Sequence, residues 1–177
     1  MNTLYVVDRF NRYQENHMVS LKTFSDLKPA ELSHLAMNLF PEGVSDQGNY
    51  YFLSNVPYID PTINIDWSFE FYRRAQHPGK PSRWQCLYAW QSLDEALTFR
   101  NTHGSPGDPI YSLEADLRKC HIADMRLLDN ADSALVHTYR AELYWLGQTI
   151  PTHIIQDWPA QWEVLVPLPV TVGKQVP

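Results

Sequence analysis

The chain has 177 residues, 44% of them hydrophobic and 13% aromatic, so it is long and apolar enough to bury one core and stands outside the disordered class. Its formal net charge of -6 argues against sequence-independent binding to nucleic acid, which rests on phosphate neutralisation by Lys and Arg, though a few arginines suffice to hold a small anion. Two cysteines in no metal or redox spacing, a start ("MNTLYVVDRFNRYQ") without a signal-peptide core, and no apolar run near about 18 residues together predict a soluble, cytoplasmic, single domain over 1–177, with no membrane association and no disulfide framework.

Taken in order, "LYVV" (4–7) and "HMVSLK" (17–22) are aromatic- or β-branched-rich runs bounded by turn formers and predict strands. The segment 29–40 places Leu32, Leu35, Ala36 and Leu39 at helical spacing behind Pro29, with Pro41 and Gly43 marking its end. A strand is expected at "YYFL" (50–53). A helix is expected over 66–76, with Trp67, Glu70, Phe71 and Arg74 on one stripe. Strand "CLYAW" (86–90) runs into a helix opened by the capping box Ser92-Leu-Asp-Glu95. Strands follow at 110–115 and 121–128, then a helix from about Ala131 to Leu146 that stops at Gly147. The apolar run 162–172 closes the series. The elements do not alternate as a doubly wound parallel sheet requires. They predict an α+β fold of two packed, mainly antiparallel sheets with about four flanking helices.

Polar residues within these apolar runs are the candidates for chemistry. On a strand, Gln161 and Glu163 share one face and Trp162 and Val164 the other, so the pair marks either a solvated edge or a lined pocket. Arg9 follows the first strand, and Ser82, Arg83 and Tyr88 flank or occupy the "CLYAW" strand. Each has a plain structural alternative: a surface charge for Arg9 and Arg83, a turn cap for Ser82, a core ring for Tyr88. Glu142 is the rival carboxylate, placed mid-helix where a solvated Glu is ordinary. The seven histidines show no ligand spacing, so no metal site is expected.

The strand-Ser-helix unit "PSRWQCLYAWQSLDEALTFRN", together with "FPEGVSDQGNYYF", "HPGKPSRWQCLYAW" and "EVLVPLP", resembles the ADP-ribosyltransferase fold superfamily, and within it a small bacterial group. That resemblance covers most of the chain and implies NAD as substrate. It also implies an Arg or His from the first strand, a Ser or Tyr from the middle motif, and a Glu in a Gln-x-Glu setting from the last. Arg9, Ser82 with Tyr88, and Gln161-Trp162-Glu163 stand at those places in the same order. The sequence departs from the pattern at Val6, where relatives with a His-Tyr-Glu set carry His.

On this resemblance Glu163 holds the ribose and stabilises the positive charge that builds as nicotinamide leaves, while Gln161 orients the acceptor. Arg9 or Arg83 grips the pyrophosphate with its forked donors, and Tyr88 or Trp84 stacks on the nicotinamide. The implied function is transfer of ADP-ribose to a protein or nucleic acid. Water as acceptor would make it an NAD glycohydrolase. A toxin or effector role, with a neutralising partner protein, fits the same group. The alternative is a catalytically silent domain of this fold that serves as a binding module.

Overall fold

The computed structural model describes residues 1–53, 61–129 and 133–176. Its strands are β1 (Asn2–Val7), β2 (Met18–Val19), β3 (Cys86–Ala89), β4 (Ile110–Ala115), β5 (His121–Asp124), β6 (Trp162–Pro167) and β7 (Val170–Val176). The helices among the described residues are α1 (Ala30–Leu39), α2 (Asp46–Leu53), α3 (Pro61–Gln76), α4 (Leu93–His103) and α5 (Ala134–Leu146), with short 3-10 turns at Arg83–Gln85, Leu117–Lys119 and Met125–Leu128.

The strands form a four-stranded sheet in the order β1-β4-β7-β2 and a three-stranded sheet in the order β3-β6-β5, and every pairing is antiparallel. One layer of apolar side chains lies between them. Leu4 and Val6 from β1, Leu113 from β4 and Val172 from β7 meet Leu87 and Ala89 from β3 and Val164 and Val166 from β6 there. Because side chains alternate along a strand, the odd positions of β6 turn the other way. Leu165 packs under Phe69 of α3 and Tyr144 and Trp145 of α5, in a second cluster between the small sheet and the helices. A third cluster gathers Phe40, Val44 and Trp84 with rings from α2 and α3. Tyr5 and Trp90 exchange backbone hydrogen bonds of 2.9 and 2.8 Å, tying β1 to the end of β3.

Local signals set several boundaries. The Ser92 hydroxyl accepts from Glu95 N, and Glu95 Oε2 accepts from Ser92 N at 3.0 Å, so the predicted capping box opens α4. Gly147 closes α5 in the left-handed conformation at φ 70°. The predicted first residues of that helix, Ala131 and Asp132, lie outside the described residues, and Ser133 caps its first turn by accepting from Val136 N at 3.2 Å.

Other boundaries depart from the sequence expectation. The segment 50–53 is the end of α2 rather than a strand: Phe52 packs onto Trp84, with Tyr51 and Leu53 against the same cluster, and that tertiary contact overrides their β propensity. The 121–128 strand stops at Asp124, whose carboxylate accepts from Arg126 N at 3.1 Å and turns the chain into a 3-10 turn. The final apolar run divides at Leu168 and Pro169 into β6 and β7, which belong to different sheets. Pro lacks the ladder donor that would carry one strand through. Helix α3 starts at Pro61, before the expected Asp66, and the expected strand 17–22 reduces to the Met18–Val19 pair with β7 and a single antiparallel bridge from Lys22 to Val44.

Candidate functional site

Helix α3 fixes the site through two carboxylates four residues apart on its buried face. Asp66 Oδ1 accepts from Arg83 Nε at 2.9 Å, and Glu70 Oε2 accepts from the Ser82 hydroxyl at 2.8 Å. Consecutive residues ahead of β3 are thereby clamped to one helix. The Ser82 hydroxyl also accepts from Trp84 N at 3.2 Å, which starts the 3-10 turn that carries Arg83. Glu70 is further occupied by Arg73 and Arg74, at 2.7 and 2.8 Å.

From this anchor the Arg83 guanidinium reaches Glu163 on β6. Arg83 Nη1 donates to Glu163 Oε1 and to the Tyr144 hydroxyl, and that hydroxyl donates to the same Glu163 oxygen at 2.6 Å. The Tyr88 ring lies 4.5 Å from the guanidinium carbon, a cation–π contact. Asp66, Arg83 and Glu163 are all buried, at 4%, 4% and 2% exposure, so two carboxylates share one cation away from bulk water. Burial raises Asp66 above the ordinary carboxylate range, against the opposing pull of Arg83. Burial would lower Arg83, but the Glu163 and Asp66 charges outweigh it and hold the guanidinium firmly protonated. Burial also raises Tyr88 and Tyr144 well above the usual phenol value, which keeps both neutral.

Asp66, Arg83, Tyr88 and Glu163 line a cavity of about 230 Å³ together with Arg9, the buried Phe99, and the exposed His103 and Asp129 toward its rim. Arg9 Nη1 donates to the His103 carbonyl at 3.3 Å, its guanidinium sits 5.4 Å from the Phe99 ring, and among the described residues no carboxylate forms an ion pair with it. Burial, then the Arg9 charge, lowers His103. A neighbouring cavity of about 290 Å³, lined by Phe10, Gln47 and Tyr50, shares Arg9, Tyr51 and Thr62 with the first. Burial, then the Asp66 charge, pushes the Tyr51 phenol up to about 12.

Four of the six residues singled out in the sequence therefore meet: Arg9, Arg83, Tyr88 and Glu163. Ser82 lies behind Arg83 with its hydroxyl engaged by Glu70, and is not among the cavity walls. Gln161 is also outside the cavity. The β5–β6 ladder begins at the Asp124–Trp162 pair, and Gln161 N donates to Asp124 Oδ1 at 2.9 Å while its carbonyl accepts from Met125 N. It thus belongs to the loop before β6, and the strand alternation that would set it beside Glu163 does not reach it. Trp84, the alternative stacking ring, is buried among Phe40, Phe52 of α2 and Trp67 of α3. Glu142 accepts from Tyr72 and from His77, at 2.9 and 2.7 Å, and is not a cavity wall.

The cavity does not lie between the two sheets. That interlayer is filled by Leu87, Val164, Val166 and their partners, and Glu163, of opposite parity, faces the helices. The sequence missed Asp66 and Tyr144. Asp66 carried one weak signal, its helical spacing to Glu70; nothing in the sequence linked Tyr144 to β6.

The described residues therefore define an α+β protein with a buried carboxylate–arginine–carboxylate group at the floor of a cavity between its smaller sheet and its helices. The family described as a protein of unknown function, DUF2441, matches residues 5–176, and the chain belongs to that family. No curated protein matches it. No group of His, Cys, Asp and Glu suited to a metal ion occurs among the described residues, and no helix among them is long and apolar enough to cross a membrane.

Proposed function

We propose that the protein is an NAD-dependent ADP-ribosyltransferase of the ADP-ribosyltransferase fold, acting on a protein or nucleic acid and using Glu163 to stabilise the ribosyl cation. The observation that carries this is the convergence of Glu163, Arg83, Tyr88 and Arg9, from four separate stretches of chain, on one cavity. A carboxylate fixed by two donors is preorganised for positive charge developing at the ribose carbon. Arg9, common to both cavities and without a carboxylate partner among the described residues, is suited to the diphosphate. The half-exposed Phe10 and Tyr50 rings give the second cavity surface on which a base can stack. Two adjoining cavities with a cation in their shared wall match a ligand with two rings joined through phosphates.

The test is nicotinamide release from NAD by the purified protein and by Glu163→Gln, followed by labelled NAD in a cell lysate to reveal an acceptor. Release or labelling that the substitution abolishes supports the assignment. Equal, buffer-level signals in both assays sink it.

One observation favours the silent-domain alternative. Val6, at the position where relatives of the implied superfamily place His, is sealed at 1% exposure in the layer between the sheets. A catalytically silent binding module would retain NAD affinity, read by calorimetric titration, with no turnover in either assay.

A further inference from the structure

Each of the three groups at the cavity floor keeps one atom free, and the assignment that follows rests on the transferase reading above. Among the described residues Asp66 Oδ2 and Glu163 Oε2 accept no hydrogen bond and Arg83 Nη2 donates none, and all three side chains line the cavity. We propose that Asp66 is a catalytic residue, the general base that takes the proton of the attacking acceptor through Oδ2. Gln161, expected to orient the acceptor, lies outside the cavity, and the carboxylate that meets the acceptor comes instead from α3.

The geometry separates the two carboxylates by task. Glu163 Oε1 receives hydrogen bonds from both Arg83 and Tyr144, which fix it as a stationary negative charge. Asp66 receives a single hydrogen bond, from Arg83 Nε on Oδ1, and that bond orients the carboxylate while leaving Oδ2 for a ligand. Other acid–base groups are less suited. Glu70 is occupied by Ser82, Arg73 and Arg74, and His103 and Asp129 stand toward the rim. Burial raises Asp66 above the ordinary carboxylate value, against the opposing pull of Arg83, which is the direction a proton acceptor needs. The charged groups around it are Arg83 from the 3-10 turn, Glu163 from β6 and Glu70 from its own helix, with Tyr51 from α2 and Tyr88 from β3 as neutral neighbours.

The step balances without a further reactant. A lone pair of the acceptor oxygen forms the new bond to the ribose anomeric carbon. The bond from that carbon to nicotinamide breaks, and its electron pair neutralises the positively charged ring nitrogen. The acceptor proton passes to Asp66 Oδ2 and then to solvent.

The experiment measures nicotinamide release into water and into added azide, an anionic nucleophile that has no proton to lose. Asp66→Asn keeps an oxygen for Arg83 Nε and places an amide where Oδ2 stood. With water its release is expected to fall about 100-fold or more with KM for NAD little changed. Azide should restore release in Asp66→Asn and fail to do so in Glu163→Gln. A wild-type rate in Asp66→Asn overturns the proposal, and so does a loss with raised KM that azide leaves unrepaired, since Asp66 would then only position Arg83.

If Asp66→Asn does not fold, the wild-type protein decides: rates in heavy water should drop with water as nucleophile and hold with azide, and equal drops overturn the proposal. Wild-type protein that releases no nicotinamide with either nucleophile fails at the transferase reading itself, and the base assignment falls with it.

Discussion

Arg83 and Glu163, 80 positions apart in the chain, form a hydrogen-bonded ion pair with both side chains at most 5% exposed. Taking such charges out of water is costly, and the pairing repays that cost only while every member is present. Glu163→Ala leaves Asp66 as the one carboxylate paired with Arg83 among the described residues and removes the acceptor of the Tyr144 hydroxyl. It is expected to cost about 3–5 kcal/mol in urea denaturation. Glu163→Gln keeps an acceptor oxygen and should cost less, which makes it the proper variant for activity measurements.

Gly48 lies in α2 where a Cβ would stand 2.2 Å from the Trp84 carbonyl oxygen. Alanine is the better helix former, yet Gly48→Ala is expected to destabilise by about 1–3 kcal/mol because backbone has to move. The shift would displace Trp84 and its neighbour Arg83, so weaker NAD binding should accompany the lower melting temperature. An unchanged melting curve would contradict this close approach.

His121 is buried beside Trp145 with Nε2 2.9 Å from the Tyr144 carbonyl, and burial lowers it to about 4. The unfolded chain takes up a proton near the ordinary value of about 6.5, and the folded one does so only near 4. Stability from this residue is therefore present above pH ~6.5 and is lost as pH falls toward about 4, on the order of 3 kcal/mol in total. Denaturation at pH 7 and pH 5 checks it. Wild type should lose more stability between the two than His121→Leu does.

Arg9 is partly exposed and makes one exposed hydrogen bond and a contact with the Phe99 ring, so Arg9→Ala is expected to cost at most about 1 kcal/mol of stability and to weaken NAD binding by about 10–100-fold, the worth of a charge-assisted hydrogen bond. Isothermal titration reads it. Arg118, whose partner is Asp116 at 2.8 Å on the exposed surface, supplies the control: Arg118→Ala should bind NAD as wild type does.

Much of the architecture was legible because its causes are local. The Ser92–Glu95 capping box, the glycine after α5 and the alternation of β4 and β6 act over a few residues, and the α+β class follows from their order. Where neighbours distant in sequence intervene, local rules failed. The aromatic run 50–53 is helical because Trp84 offers it a surface, and Gln161 is kept off the strand that starts at Trp162 because Asp124 holds Gln161, Trp158 and Thr149 at once.

Sequence by itself determined that an acidic side chain would interrupt the last apolar strand, and that arginines would flank the first and third strands. Tertiary structure alone decided that Glu163 faces the helices, that Arg83 turns inward to it, and that Asp66 joins them. Side-chain parity fixes only which residues share a face, whereas the choice of face depends on what each face packs against. Here Val164 and Val166 claim the interlayer between the sheets, and the burial of two carboxylates around one guanidinium is possible only where three distant segments meet.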